Sequence, residues 1–301
     1  MGKIDPREVA ICTVHGTDFK RFYSREFERK YGWTFLQIQQ LRRYTPEGYR
    51  VLAYGNGLAP EHESFLKSCQ EVEFFSSKDH GKFWPPWPIR NWLSRQAAKK
   101  FKYIVHMDSD AFPIQGDWLE RYCSQITPQC PVVAINRRDM SYLHTSFLAF
   151  TTEGFKKHYF DFSKVGVRDA GDGISEYIKE EGLQWKPLLR SNAYNYDPLI
   201  AGIFDDRIYH HIAGSRRPSK HYQYGQSPDE GVFRTKREAR LHLRKMVKRS
   251  TLLHYFLMKQ VFDNTDSFIN QLRGIEKPLD VERAVRRLSL DYIQWKIDTR
   301  W

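Results

Sequence analysis

The stretch Phe101-Lys102-Tyr103-Ile104-Val105-His106-Met107-Asp108-Ser109-Asp110-Ala111-Phe112-Pro113 decides how the chain is read. A β-branched and apolar run, Tyr103 to Met107, passes without a break into two carboxylates one residue apart. That is the signature of a buried strand delivering both acids to the carboxyl edge of a sheet. Working outward, Val9 to Val14, Tyr49 to Tyr54 and Val72 to Phe75 read as three earlier strands. Between them Arg21 to Arg43, Glu61 to Cys69 and Ile89 to Lys100 carry helical spacing, the last following the rigid Trp84-Pro85-Pro86-Trp87-Pro88 segment. Strand and helix in alternation require crossover connections, so an α/β fold is expected, with a mostly parallel sheet flanked by helices. In such sheets ligands bind beyond the carboxyl ends of the strands, where Asp108 and Asp110 emerge.

Further along, Pro131 to Ile135 and Phe147 to Thr151 read as strands, Gly173 to Glu181 as a helix, and Ile208 to Ile212 as a strand carrying His210 and His211. After Pro218 the character changes. Lys236 to Val261 is helix-like, with Leu243, Val247, Leu253, Leu257 and Val261 on an apolar stripe. Opposite them stand Arg237, Arg240, Arg244, Lys245, Lys248 and Arg249. The expected organisation is a catalytic domain over 1–218 and a basic, mainly helical extension over 219–301.

The 301 residues include 8 Trp, 17 Tyr and 20 Phe, far too aromatic for a disordered chain. Lys plus Arg less Asp plus Glu is 48 − 36 = +12, so the surface attracts anions: nucleotide phosphates, nucleic acid, acidic glycans or an anionic membrane face. No run approaches the roughly 18 apolar residues of a membrane-spanning helix, and the first ten residues lack a signal peptide's apolar core. A cytoplasmic protein is expected, with peripheral attachment to the inner membrane face as the variant. Cys12, Cys69, Cys123 and Cys130 form no C-x-x-C pair, which fits a reducing compartment; a single Cys123 to Cys130 bridge is the alternative.

Two carboxylates held together repel one another unless they share a cation, and hard oxygen donors suit Mn²⁺ or Mg²⁺. A divalent ion there can hold a diphosphate. The plainer alternative is a loop with two solvated acids. The strand ending in His210 and His211 is followed by Ala213-Gly214-Ser215-Arg216-Arg217-Pro218. Imidazole can complete a carboxylate site, Gly214 lets backbone approach a ligand, and Arg217 can neutralise phosphate oxygens. Here too a half-buried strand end with surface arginines is the plainer alternative. His106 is read as a buried, hydrogen-bonded sheet histidine and left out of the site.

Taken together these segments resemble the glycogenin-like and bacterial galactosyltransferase-like enzymes of glycosyltransferase family 8, over residues 8 to 218. Asp108 and Asp110 match that family's D-x-D. His211-Ile212-Ala213-Gly214-Ser215-Arg216-Arg217-Pro218 resembles its closing H-x-x-G-x-x-K-P-W, with Arg217 in place of Lys and Ser219 in place of Trp. Arg90 stands where the family has an arginine reaching the donor. His144 replaces an Asn beside the donor sugar, and Asp172 falls in the segment matching Asp-Ile-Leu-Asn. The resemblance implies a GT-A fold and transfer of a sugar, with retention, from a nucleotide diphosphate donor, UDP by preference, to a hydroxyl acceptor.

By the same resemblance Asp108, Asp110 and His211 hold Mn²⁺ or Mg²⁺. Thr13, His15, Gly16, Ser109, Gly214, Arg217 and Arg90 bind the nucleotide sugar, and Asp172, His144 and Arg90 serve the reacting centre. Under inversion, Asp172 or Asp169 would instead be the general base. The acceptor is a glycan, a lipid-linked glycan or another hydroxyl compound. The basic C-terminal helix either packs on the catalytic domain, lies on an anionic membrane, or contacts a polyanion. The rival class is a nucleic-acid-binding protein or nuclease using the D-x-D as its metal site. It leaves the His-x-x-Gly-x-x-Arg-Pro block unexplained.

Overall fold

A computed structural model describes residues 3–16, 32–79, 86–137, 142–162, 171–192, 201–211 and 260–274. In chain order the first unit contains β1 (Val9–His15), α1 (Trp33–Tyr44), β2 (Arg50–Gly55), α2 (Pro60–Ser68), β3 (Val72–Ser76), α3 (Pro86–Ala97), β4 (Tyr103–Asp108) and β5 (Ala111–Pro113). It continues through α4 (Trp118–Cys123), β6 (Val132–Arg137), β7 (Tyr142–Thr151), α5 (Thr152–His158), α6 (Asp172–Glu180) and β8 (Trp185–Leu188). The turn from β9 (Ala201–Phe204) into β10 (Ile208–His211) completes it. The described residues of the second unit are 192, 201–202, 211 and 260–274, with α7 (Thr265–Arg273) as its helix. That helix is capped by Asn264, whose side chain accepts from the Ser267 amide, and it buries Phe268, Ile269 and Leu272.

The main sheet runs β3-β2-β1-β4-β7-β6-β8. Among its strands only β7 opposes the others, so the sheet is mostly parallel, as expected. Central parallel strands are buried on both faces, which explains why β1 and β4 are apolar at nearly every position. Alternation divides them between two layers. Val9, Ile11, Val105 and Met107 pack with Ile38 and Leu41 of α1, Leu66 of α2 and Trp118 and Tyr122 of α4. Ala10, Cys12 and Ile104 pack on the other face with Ile89, Leu93 and Ala97 of α3 and with Ile174 and Ile178 of α6. A smaller sheet, β5-β10-β9, lies at the carboxyl end of β4.

The expected strands and helices fall where the pattern puts them, with ends displaced by at most three residues, except that the strand expected from Phe147 begins five residues earlier, at Tyr142. The helix expected from Arg21 is described from Trp33 onward, and its earlier part lies outside the described residues. So do the boundary at 218/219 and the helix expected over Lys236 to Val261, apart from its last two residues. Cys123 and Cys130 are free thiols, so the alternative of a bridge between them is not realised. Among the described residues no helix is long and apolar enough to cross a membrane.

Candidate active site

The site is built where β4 ends. Ile104, His106 and Asp108 share the face covered by α3, which runs back along the strand. Four helical residues rise about 6 Å and two strand residues about 6.6 Å, so side chains four apart on α3 meet side chains two apart on β4. Ser94 Oγ is 2.7 Å from His106 Nε2, and one turn earlier Arg90 Nη2 donates to Asp108 Oδ1. His106 is fully buried, and that burial, with Arg90 nearby, pushes its pKa well below the ordinary histidine value. It is a buried, hydrogen-bonded sheet histidine, as expected. Arg90 is only 3% exposed, and its Nη1 donates to the Thr145 carbonyl at 3.2 Å. The guanidinium expected to reach the donor therefore holds the first acid of the D-x-D.

With Oδ1 occupied by Arg90, Asp108 turns Oδ2 toward His210. The strand β10 pairs antiparallel with β5, placing His210 opposite Ala111 and hence beside the Asp108-Ser109-Asp110 turn. His210 Nε2 is 3.9 Å from Asp108 Oδ2 and 3.6 Å from Asp110 Oδ1. Both distances are too long for hydrogen bonds. They fall within the roughly 3 to 4.3 Å separating two donors on one small cation whose ligands sit about 2.1 Å away. One donor atom from each of Asp108, Asp110 and His210 lies within 4.8 Å of the others, so the trio fits a divalent ion.

The ligand expected from sequence is His211. Neighbouring side chains on a strand face opposite ways, and His210, not His211, joins the two acids. The register of β10 is pinned nearby: Arg207 makes two bonds to Asp117 at 2.9 and 2.8 Å, and Arg121 binds Asp205 at 2.8 Å. Asp205 and Asp206, both in left-handed conformation, make the turn into β10.

A third wall comes from β7. Its pairing with β6 jumps from Ala134 opposite Leu148 to Ile135 opposite His144, so Thr145, Ser146 and Phe147 have no partner on β6 and β7 bulges there. The bulge frees the Thr145 carbonyl for Arg90 and sets the His144 ring 5.6 Å from that of His210. His144 Nδ1 lies 2.7 Å from Ser146 Oγ and accepts from the Ser146 backbone N–H at 3.3 Å. A backbone N–H can only donate, so Nδ1 carries the lone pair and the neutral ring carries its proton on Nε2. His144 is thus a hydrogen-bond donor beside the acid pair.

Asp172 opens α6, and the preceding Gly171 packs on the same bulge. At φ 107° a Cβ there would sit 2.8 Å from Thr145 Cγ2 and 3.1 Å from the Leu143 carbonyl, so only glycine fits. Ser175 Oγ accepts from the Leu143 amide at 3.2 Å and ties the first turn of α6 to β7.

No protein-family model and no curated protein matches the sequence. Solved structures resemble it at low identity. The residue 1–349 portion of Staphylococcus aureus TarS is 10% identical, with a TM-score of 0.46 over 89% of this chain and 69% of that one. The mannosyltransferase PcManGT of Pyrobaculum calidifontis, in complex with GDP-Man and Mn²⁺, is 11% identical, with a TM-score of 0.45 over 96% of this chain and 83% of that one. The catalytic domain of Drosophila β1,4-galactosyltransferase 7, in complex with xylobiose, is 13% identical, with a TM-score of 0.39 over 80% and 79% of the two chains. The functional reading stands on the residues of the site.

The end of β1 differs from the nucleotide cradle expected there. Thr13 and His15 are fully buried and turned on one another: Thr13 Oγ1 is 2.8 Å from His15 Nε2, and Thr34 Oγ1 of α1 is 3.2 Å from His15 Nδ1. Their side-chain polar atoms are bonded inside the protein; among the described residues of that strand end Val14 is half-buried and Gly16 exposed. Ser109 is half-buried between the two acids. Gly214, Arg216, Arg217 and Asp169 lie outside the described residues. Two residues of the site were not anticipated. For His210 a signal existed, the alternation along Ile208 to His211; for Ser146, which fixes the His144 tautomer, no motif exists.

Proposed function

We propose that the chain is a metal-dependent glycosyltransferase that moves a sugar from a nucleotide diphosphate, UDP by preference, to a hydroxyl acceptor. The observation that carries the reading is the convergence of Asp108 Oδ2, Asp110 Oδ1 and His210 Nε2 at the carboxyl edge of a mostly parallel sheet. Asp108, Asp110 and His210 would hold the cation, Mn²⁺ or Mg²⁺. When bound, it supplies positive charge against the diphosphate oxygens on which negative charge grows as the anomeric bond breaks.

The chain's own residues do the rest. Arg90 holds and aims Asp108. His144, with its proton on Nε2, donates to an oxygen of the donor sugar. Gly214 and Arg217 contact the diphosphate, and Asp172 orients sugar and acceptor. In the reaction the bond between the anomeric carbon and the phosphate oxygen breaks, and a bond from that carbon to the acceptor oxygen forms. The acceptor proton passes to the departing phosphate when configuration is retained, or to Asp172 when it is inverted. The basic residues of 237–249, in the stretch whose spacing predicts a helix, suit an acceptor carried on a polyanion or an anionic lipid surface.

The test is donor cleavage. Incubation with UDP-sugars and Mn²⁺ should release free UDP, and Asp110→Ala should cut the release by about 10²- to 10³-fold. Metal-independent retention of DNA without turnover of any nucleotide sugar would overturn the proposal in favour of the nucleic-acid class.

A further inference from the structure

Gln37 lies in the middle of α1, fully buried and remote in sequence from the D-x-D. Its Nε2 donates to the carbonyl of Asp108 at 2.6 Å and to that of Ala111 at 2.7 Å. Those carbonyls bracket Ser109 and Asp110, so one amide closes the turn that carries both acids. The amide has one possible orientation, because its reverse would set Oε1 against two carbonyl oxygens. In that orientation Oε1 is buried with no hydrogen-bond partner among the described residues. Burying an unsatisfied acceptor is unfavourable, and a methionine or leucine would fill the space without it. The position therefore favours the two donors of Nε2 over an apolar side chain.

We infer that Gln37 is a positioning residue for the cation site, an inference that rests on the reading of Asp108, Asp110 and His210 as its ligands. The amide fixes the backbone on either side of Asp110, and with it the separation of both carboxylates from His210. His210 is anchored independently, through the bonds of Arg207 to Asp117 and of Arg121 to Asp205. Loss of the Gln37 amide thus moves one half of the site against the other. Residues that orient ligands without touching the metal typically alter its affinity by about 10- to 100-fold.

The experiment is an Mn²⁺ titration of the full chain, wild type against Gln37→Met and Gln40→Met, well below the unfolding temperature of each. Gln40 lies three residues further along α1, is buried to a similar degree, and has no hydrogen bond to the 108–111 turn among the described residues. It controls for the loss of a buried carboxamide from the same helix. Gln37→Met should weaken Mn²⁺ binding about tenfold or more, while Gln40→Met binds as the wild type does, whatever stability it loses. Wild-type affinity in Gln37→Met, or equal weakening in Gln40→Met, overturns the inference alone. A wild-type protein that binds no Mn²⁺ overturns the cation reading and the inference with it.

Discussion

The ends of β1 and β4 are neighbours in one sheet, with Val14 paired to Asp108, and both carry titratable side chains at the carboxyl edge. They are finished differently. At β1, His15 is sealed between Thr13 and Thr34, and burial with His62 nearby lowers its pKa to about 3. At β4, Asp108 keeps 31% of its side chain exposed, and the nearest donor of His210 stops short of hydrogen-bonding distance from either acid. A polar group whose partners are all internal is structure. Two acids and an imidazole converging at separations suited to a shared cation form a site that could hold one.

The sharpest way to break this contrast is to remove an acid. Asp110→Ala should cut Mn²⁺-dependent UDP release by about 10²- to 10³-fold, the scale set by removing a group that stabilises charge in the transition state. A residual rate near wild type would erase the functional distinction between the two strand ends. Next comes Arg90→Lys, which keeps the charge and loses the fork joining Asp108 to Thr145. It should weaken Mn²⁺ binding by about 10- to 100-fold in a calorimetric titration.

Gly171→Ala forces a Cβ against Thr145 in a left-handed backbone and should lower unfolding free energy by about 1 to 3 kcal/mol in urea. Smallest at neutral pH is the effect at β1. His15 and His106 are held neutral in the fold, whereas in the unfolded chain they take up protons near 6.5. Below that pH the unfolded state binds more protons, so their contribution is complete above about pH 6.5 and declines as the pH falls, for His15 toward about 3. Each contributes a slope on the order of 1 kcal/mol per pH unit. His15→Leu should lower stability at pH 7 and flatten the acid limb measured by denaturant unfolding. An unchanged limb would show that His15 is not sealed.

Much of this was legible in the sequence. The first four strands declare themselves because each is an apolar run bounded by turn residues, and the D-x-D is visible because it interrupts such a run. His106 was also legible, since its place inside a buried strand favours a buried, hydrogen-bonded core group. The rest depends on contacts between distant segments. Choosing His210 over His211 requires the register of β10 on β5, which is set by cross-strand pairing. The role of Arg90 depends on the bulge in β7, whose extra residues leave no compositional mark. Thr13 and His15 looked available because their partner, Thr34, lies on a helix that the strand pattern alone cannot place.

The central claim is tested most directly by comparing adjacent histidines. Mn²⁺ affinity should fall at least about tenfold in His210→Ala, which removes a ligand, and stay at the wild-type value in His211→Asn. Undiminished binding in His210→Ala, or a loss confined to His211→Asn, would contradict the account.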